Sequence, residues 1–270
     1  MESFKIISEI EKSHINSLVK KNQRIDGRDF LEYRKISLET GVILKAEGSA
    51  RVRIGKTEII AGIKISLGPP FPDTPDRGVI TVNAELTALA SPVFEPGPPN
   101  ENSVEVARVV DRGIRHSVIV DYSKLCLIPG KQVFIIFIDL YVMSYDGNMF
   151  DAGTLAAVAA LLSTKMPRTK IVDDEVVVLG EQYDKSDWLS LPFTNKAVSV
   201  TTAKIGDKLL IDPNEQEDRI MDARLTVTVD KSGNICSIQK GRKGFFTKDE
   251  ILKCIEITLK KSKELLQYLP

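Results

Sequence analysis

The chain has 270 residues, room at about 150 per domain for two domains or one large one, and its 43% hydrophobic and 27% charged content excludes a disordered or collagen-like polypeptide. Lys plus Arg and Asp plus Glu each number 37, so formal net charge is zero and a whole-molecule basic field for nucleic acid or membrane is excluded; anion binding has to come from a local patch. The three cysteines, Cys126, Cys236 and Cys254, are odd in number with no CxxC spacing, which argues against a disulfide framework or zinc site and for a reducing interior.

The opening MESFKIISEIEKSHINSLVKK is charged throughout, without a signal-peptide apolar core. Phe4, Ile7, Ile10, Ile15 and Leu18 recur at near-helical spacing and predict a helix over residues 4–21. Gly27 then marks a turn. Strands are predicted at 36–40, 51–54 and 57–65, the last two joined by a hairpin at Gly55-Lys56, and a fourth at 78–86. GPPFPDTPDRG and FEPGPPNEN read as loops, because prolines at that density deny ladder hydrogen bonds. Residues 103–118 form a predicted helix with Val106, Val109, Val110 and Ile114 on one face and Arg108, Arg112 and Arg115 on the other. Residues 131–145 read as a strand covered on both sides, and 151–165 as a buried Ala-rich helix. Neither VFIIFI nor LAAVAALL approaches the ~20 residues that span a bilayer, so the expectation is a soluble, cytoplasmic protein with no membrane partner. After an irregular stretch at 166–194, strands resume at 197–203, 208–211, 223–229 and 235–240, and a helix over 248–267 closes the chain with Thr247 as its N-cap. Both halves read as strands followed by a helix, an α+β arrangement with a weak hint of duplication.

Arg108, Arg112 and Arg115 are the best local candidates for phosphate contact. Their spacing sets three guanidiniums along about 10 Å of one helix side, and guanidinium forks suit phosphate oxygens. The competing reading is a solvated face on which Glu105 and Asp111 pair with Arg108. Asp212, Glu215, Glu217, Asp218 and Asp222 cluster after a strand; they suit a divalent cation or acid–base work, or simply a helix N-terminus that favours acids. His14 and His116 stand isolated, and no GxSxG, HExxH or P-loop pattern occurs.

Several segments together resemble the RNase PH family. QRIDGRDFLEYRKI followed by EGSARVRIGKTEIIAGIKISLG is similar to its opening R-x-D-G-R turn and G-S-A strand pair. AELTALASPVFEPGPPNENSVEVARVVDRGIRHS, DLYVMSYDGNMFDAGTLAAVAALL and KLLIDPNEQEDRIMDARLTVTVD keep the family's order. The A-R-V-V-D-R run, the C-terminal half and the N-terminal helical extension resemble most closely the larger, non-catalytic RNase PH-type ring subunit of the archaeal exosome. The resemblance implies an RNase PH fold with a ribosomal protein S5 domain 2-like first half and an RNase PH domain 2-like second half. The expected divisions are an N-terminal helix and turn (1–32), domain 1 (33–165), a connecting segment (166–194), domain 2 (195–262) and the helix end (263–270). It also implies phosphorolysis of RNA from the 3′ end, with inorganic phosphate as nucleophile.

The chain departs from active members of the family where their phosphate is held. Gly147, Asn148 and Met149 stand in place of a G-S-R-like turn, so a thioether replaces an arginine, and Glu101-Asn102 stand where arginines precede the helix. Asp212 and Asp218 keep the spacing of the family's acid pair. The resemblance therefore implies a subunit without catalytic residues or a cofactor of its own. Phosphate, and any divalent metal, would act at a catalytic RNase PH-type partner. That partner and this chain would form heterodimers, three of which close a hexameric ring, joined by S1/KH-type cap proteins. Arg108, Arg112 and Arg115 would then contact single-stranded RNA. The alternative is a self-sufficient phosphate-dependent exoribonuclease that recruits Arg77 or Arg53 in place of the missing arginine.

Overall fold

The computed structural model describes residues 8–173, 175–179 and 187–270. The first helix, α1 (Glu9–Lys20), is capped by Ser8, whose Oγ accepts the Glu11 N–H at 3.1 Å. Residues 4–7 of the expected helix lie outside the described residues. Ile15 and Val19 are buried against Ile205, Leu210, Ile220 and Met221, so α1 rests on the second half of the chain. Ile10, expected on the apolar face, is 84% exposed.

The first sheet has the order β1-β2-β3-β6-β4, built from β1 (Ile36–Thr40), β2 (Gly48–Ile54), β3 (Thr57–Gly68), β4 (Val79–Leu86) and β6 (Gln132–Ser144), with the short β5 (Cys126–Ile128) on β6. All its pairs are antiparallel except β4 with β6. The Gly55-Lys56 hairpin closes β2 onto β3, and Gly55 sits at φ +61°, where a Cβ would come within 2.6 Å of the Arg34 side chain. Between β4 and β5, α2 (Glu101–His116) starts two residues before the predicted position, because Asn100 caps it by accepting from the N–H groups of Asn102 and Ser103. Its apolar face is the expected one: Val106, Val109, Val110 and Ile114 are buried.

The expectation of a strand covered on both sides fails at β6. Phe134, Ile136, Ile138, Leu140 and Val142 are buried, whereas Ile135 and Phe137 are half-buried and Tyr141 is exposed. A strand with one covered face alternates, and the continuous apolar run concealed that alternation. The covering element is α3 (Met149–Leu162), which packs on β2, β3 and β6 on one side and on the second sheet on the other. Every residue from Met149 to Leu161 is buried, as a helix lying between two sheets requires.

The connecting segment carries β7 (Lys165–Met166), β8 (Thr169–Val172), β9 (Glu175–Val178) and β10 (Leu189–Ser190), paired as two small ribbons. The second sheet runs β12-β11-β13-β14, all antiparallel, from β11 (Ala197–Ile205), β12 (Lys208–Ile211), β13 (Ala223–Asp230) and β14 (Ile235–Gly241). Toward α3 it presents hydroxyls: Thr154 meets Ser199, which meets Thr228. On its other face α5 (Lys248–Leu266) packs over β11 and β13 and opens with the Thr247–Glu250 capping box. The short α4 (Glu215–Ile220) bears out the helix N-terminus among the readings of the acidic cluster: Glu215, Glu217 and Asp218 occupy its first turn, behind the Asn214 cap.

Candidate nucleic-acid interface and degenerate anion pocket

The β6–α3 turn anchors the site. Gly147 adopts φ +82° with its ideal Cβ position only 2.3 Å from the Pro213 carbonyl oxygen, so no other residue fits. Asn148 follows in the left-handed region at φ +53°, a conformation asparagine tolerates. Its side chain does not cap α3. Its Nδ2 instead donates to Asp151 Oδ2 at 2.9 Å and Asp212 Oδ1 at 2.8 Å.

Beneath the turn lies a buried cluster of arginines and carboxylates. Asp212 is fully buried and accepts from Arg34 through its backbone N–H (2.9 Å), Nε (2.8 Å) and Nη2 (2.7 Å), and from Arg28 Nη1 at 3.0 Å. Burial alone would push its carboxyl up; the hydrogen bonds and charge of Arg34 outweigh that and hold it below the usual carboxylate value. Arg24 makes a bidentate pair with Glu217 at 2.8 and 2.5 Å and also donates to the carbonyls of Ile211 and Asp212. The three arginines flanking and following the R-x-D-G-R turn thus tie the chain's N-terminal segment to β12 and α4. Asp212 does not fit a divalent cation: its oxygens already accept from two guanidiniums and an amide, and it is closed to solvent.

Asp218 lies elsewhere, on a pocket of about 130 Å³. The start of α2 supplies Glu101, Asn102 and Glu105; the β6–α3 turn supplies Asn148, Met149 and Phe150; Tyr145, Asp218, Arg219, Arg224 and Arg242 complete the walls. Met149 in place of an arginine does not leave the pocket without positive charge, since three other arginines line it. Each is paired: Arg224 with Glu105, Arg219 with Glu215, and Arg242 with Asp218 at 2.9 Å. Tyr145 Oη also donates to Asp218 at 2.8 Å. Arg224 stacks over the Phe150 ring, 3.8 Å from its centroid. Arg34 does reach the turn, donating to the Gly147 carbonyl at 3.4 Å, but Asp212 and Asp146 hold it there. Neither arginine expected as a substitute lines this pocket; Arg53 pairs with Glu58 on the first sheet at 2.7 Å.

The arginine face of α2 is uneven. Arg115 pairs with Asp111 at 2.9 Å and touches the Ile80 carbonyl. Arg112 Nη1 donates to Gln239 Oε1 on β14 at 2.9 Å. Glu105 and Asp111, expected as partners of Arg108, pair with Arg224 and Arg115 instead. Arg108 is exposed and has no hydrogen bond or ion pair among the described residues.

Two family profiles cover most of this architecture: 3′ exoribonuclease family, domain 1, over residues 32–167, and domain 2 over residues 196–261. The chain belongs to the RNase PH family of 3′ exoribonucleases. Among its relatives is exosome complex component Rrp42 of Methanothermobacter thermautotrophicus, 49% identical over 264 residues, which are 98% of this chain and 96% of the relative. In three dimensions it is similar to a chain of the Archaeoglobus fulgidus exosome with RNA bound to the active site (TM-score 0.87, 44% identity, covering 96% and 97% of the two chains). It is also similar to a chain of an archaeal exosome core (TM-score 0.82, 40% identity, 95% of each chain). Both halves of the RNase PH fold are therefore present, with α3 held between their sheets.

Within this RNase PH chain the structure brings Glu101, Asn102, Asn148, Met149 and Asp218 to one pocket and sets Asp212 apart from it. Sequence reasoning missed Arg224, Arg242 and Tyr145, and gave Glu105 the wrong partner. Their spacing carries no motif, because they come from separate elements: Glu105 from α2, Tyr145 from the end of β6, and Arg224 and Arg242 from the β13–β14 pair. The available signal was the R-x-D-G-R turn: arginines on both sides of a tight turn, facing a downstream acid cluster, suit a buried ion-pair network.

Proposed function

We propose that this chain is a non-catalytic ring subunit of an archaeal exosome, a complex that degrades RNA from the 3′ end by phosphorolysis. It pairs with a catalytic RNase PH-type subunit in the cytoplasm, and three such heterodimers close a hexamer capped by S1/KH-type RNA-binding proteins. It orders the partner's active site and lends Arg108 and Arg112 to the path of single-stranded RNA. Phosphate, and any divalent metal, act at the partner's site.

One observation carries the absence of catalysis. Phosphorolysis needs orthophosphate held as nucleophile by uncompensated positive charge. Here Met149 contributes a thioether, and the three guanidiniums around it are each matched by a carboxylate. The RNA role rests on Arg108, whose exposed guanidinium is free among the described residues to meet a phosphate without regard to base. Purified alone with poly(A) and phosphate, the chain releases no ADP; mixed with its catalytic partner, it forms a complex that does. ADP release by the lone chain at the rate of the complex overturns the proposal in favour of a self-sufficient exoribonuclease.

A further inference from the structure

The pocket at the start of α3 has the construction of an oxyanion site already occupied by the protein itself. Arg224 is 5% exposed and Asn148 is 3% exposed, and both line it. Arg224 Nε and Arg242 Nε are buried donors without a hydrogen-bond partner. Asn148 leaves α3 without a side-chain cap, so the uncapped amide end of a fourteen-residue helix opens beside these guanidiniums. A buried guanidinium with an unpartnered N–H is costly, and it persists where an anion compensates the charge. In this chain that anion is the Glu105 carboxylate, which accepts from Arg224 Nη2. Glu105 itself is half-buried and is carried by α2, whereas Arg224 belongs to β13.

We propose that Glu105 is a built-in plug: its carboxylate takes the place of a small tetrahedral oxyanion on Arg224 and keeps the pocket closed to phosphate. Neutralising Glu105 leaves Arg224 and the start of α3 as an open site for inorganic phosphate. The proposal rests on the reading of this pocket as non-catalytic, and it deepens that reading by naming the one carboxylate whose neutralisation opens the site.

The experiment is calorimetric titration of the full chain with inorganic phosphate. Wild type should show no saturable binding up to millimolar phosphate, and Glu105→Gln should bind at least tenfold more tightly. Glu105→Gln combined with Arg224→Gln should lose the gain. Glu105→Ser serves as a second unplugged variant if the glutamine form does not fold, with circular dichroism confirming the fold of each. Equal binding by wild type and Glu105→Gln, or a gain that survives loss of Arg224, overturns the plug. ADP release from poly(A) by wild type would instead overturn the non-catalytic reading, so the two failures are distinguishable.

Discussion

Asp212 and Asp218 stand six residues apart and come from one acidic stretch, yet they belong to different parts of the molecule. Asp212 is enclosed beneath the β6–α3 turn, where Arg34, Arg28 and Asn148 take up its oxygens. Asp218 faces the pocket on the other side of that turn and meets Tyr145 and Arg242, whose side chain is 26% exposed. The contrast shows that a conserved-looking acid spacing says little about chemistry until the donors around each carboxylate are known. One acid is a structural keystone; the other is part of a neutralised cavity wall.

The strongest way to break that contrast is Asp212→Ala. It leaves Arg34 buried with only Asp146 as a carboxylate partner and removes one of the two carboxylates of Arg28, which keeps Asp26, and removing one member of a buried pair costs about 3–5 kcal/mol. Urea unfolding should show the loss as a lowered midpoint, with RNA binding failing only as the fold fails. A stability within about 0.5 kcal/mol of wild type, the range of ordinary surface changes, would place Asp212 outside the keystone role.

Asp151 sharpens the comparison through pH. It is fully buried on α3, and burial pushes its carboxyl up to about 6, against the hydrogen bonds from Asn148, Thr201 and Tyr33 that favour the charged form. Its folded-state value lies above its unfolded value of 3.8, so the native state binds the proton more tightly between the two. Stability from this group is therefore largest below pH ~4 and falls as pH rises toward ~6, by an upper limit of about 3 kcal/mol. Asp212, held low, acts with the opposite sign and only as pH drops beneath the ordinary carboxylate range. Denaturation midpoints between pH 4 and 6 should slope downward in wild type and lose that slope in Asp151→Asn.

Much of the framework was legible before any coordinates. Alternation located β1 to β4 and the Gly55-Lys56 turn, and the four strands of the second sheet were legible as well, although β11 and β13 are buried on both faces between α3 and α5. Glu101, Met149 and Asp218, each singled out in the sequence, line one pocket, whereas Asp212 does not. What stayed hidden has physical causes. β6 concealed its open face behind half-buried Ile135 and Phe137, and α4 is too short for a helical period to declare itself. Arg224 stands near the start of β13 and Arg242 just after the end of β14, and only the antiparallel β13–β14 register sets them side by side.

On the rim formed by α2, the comparison becomes one between a free and an engaged guanidinium. In the assembled ring, Arg108→Ala should weaken RNA binding and lower the magnitude of the salt slope by about 0.7, the share of one single-strand phosphate contact. Arg115→Ala should leave the slope unchanged, since Asp111 already neutralises that side chain. Arg112 falls between them, because Gln239 orients its guanidinium without cancelling its charge. Filter binding across a salt series separates the three variants, and equal slopes for Arg108→Ala and wild type would remove α2 from the RNA path.

The smallest effect belongs to Asp218→Asn. The substitution keeps an acceptor for the Tyr145 hydroxyl and for Arg242, whose partial exposure lets water screen the unmatched charge. A partly solvated pair of this kind is worth about 1 kcal/mol or less, so the unfolding midpoint should barely move. Ring turnover on poly(A) should also be unchanged under the proposed function, which puts the reaction at the partner subunit. Turnover is the more telling of the two measurements. If it collapses while the fold and the ring remain intact, Asp218 acts on the reaction itself, and the pocket behind Met149 is a working site.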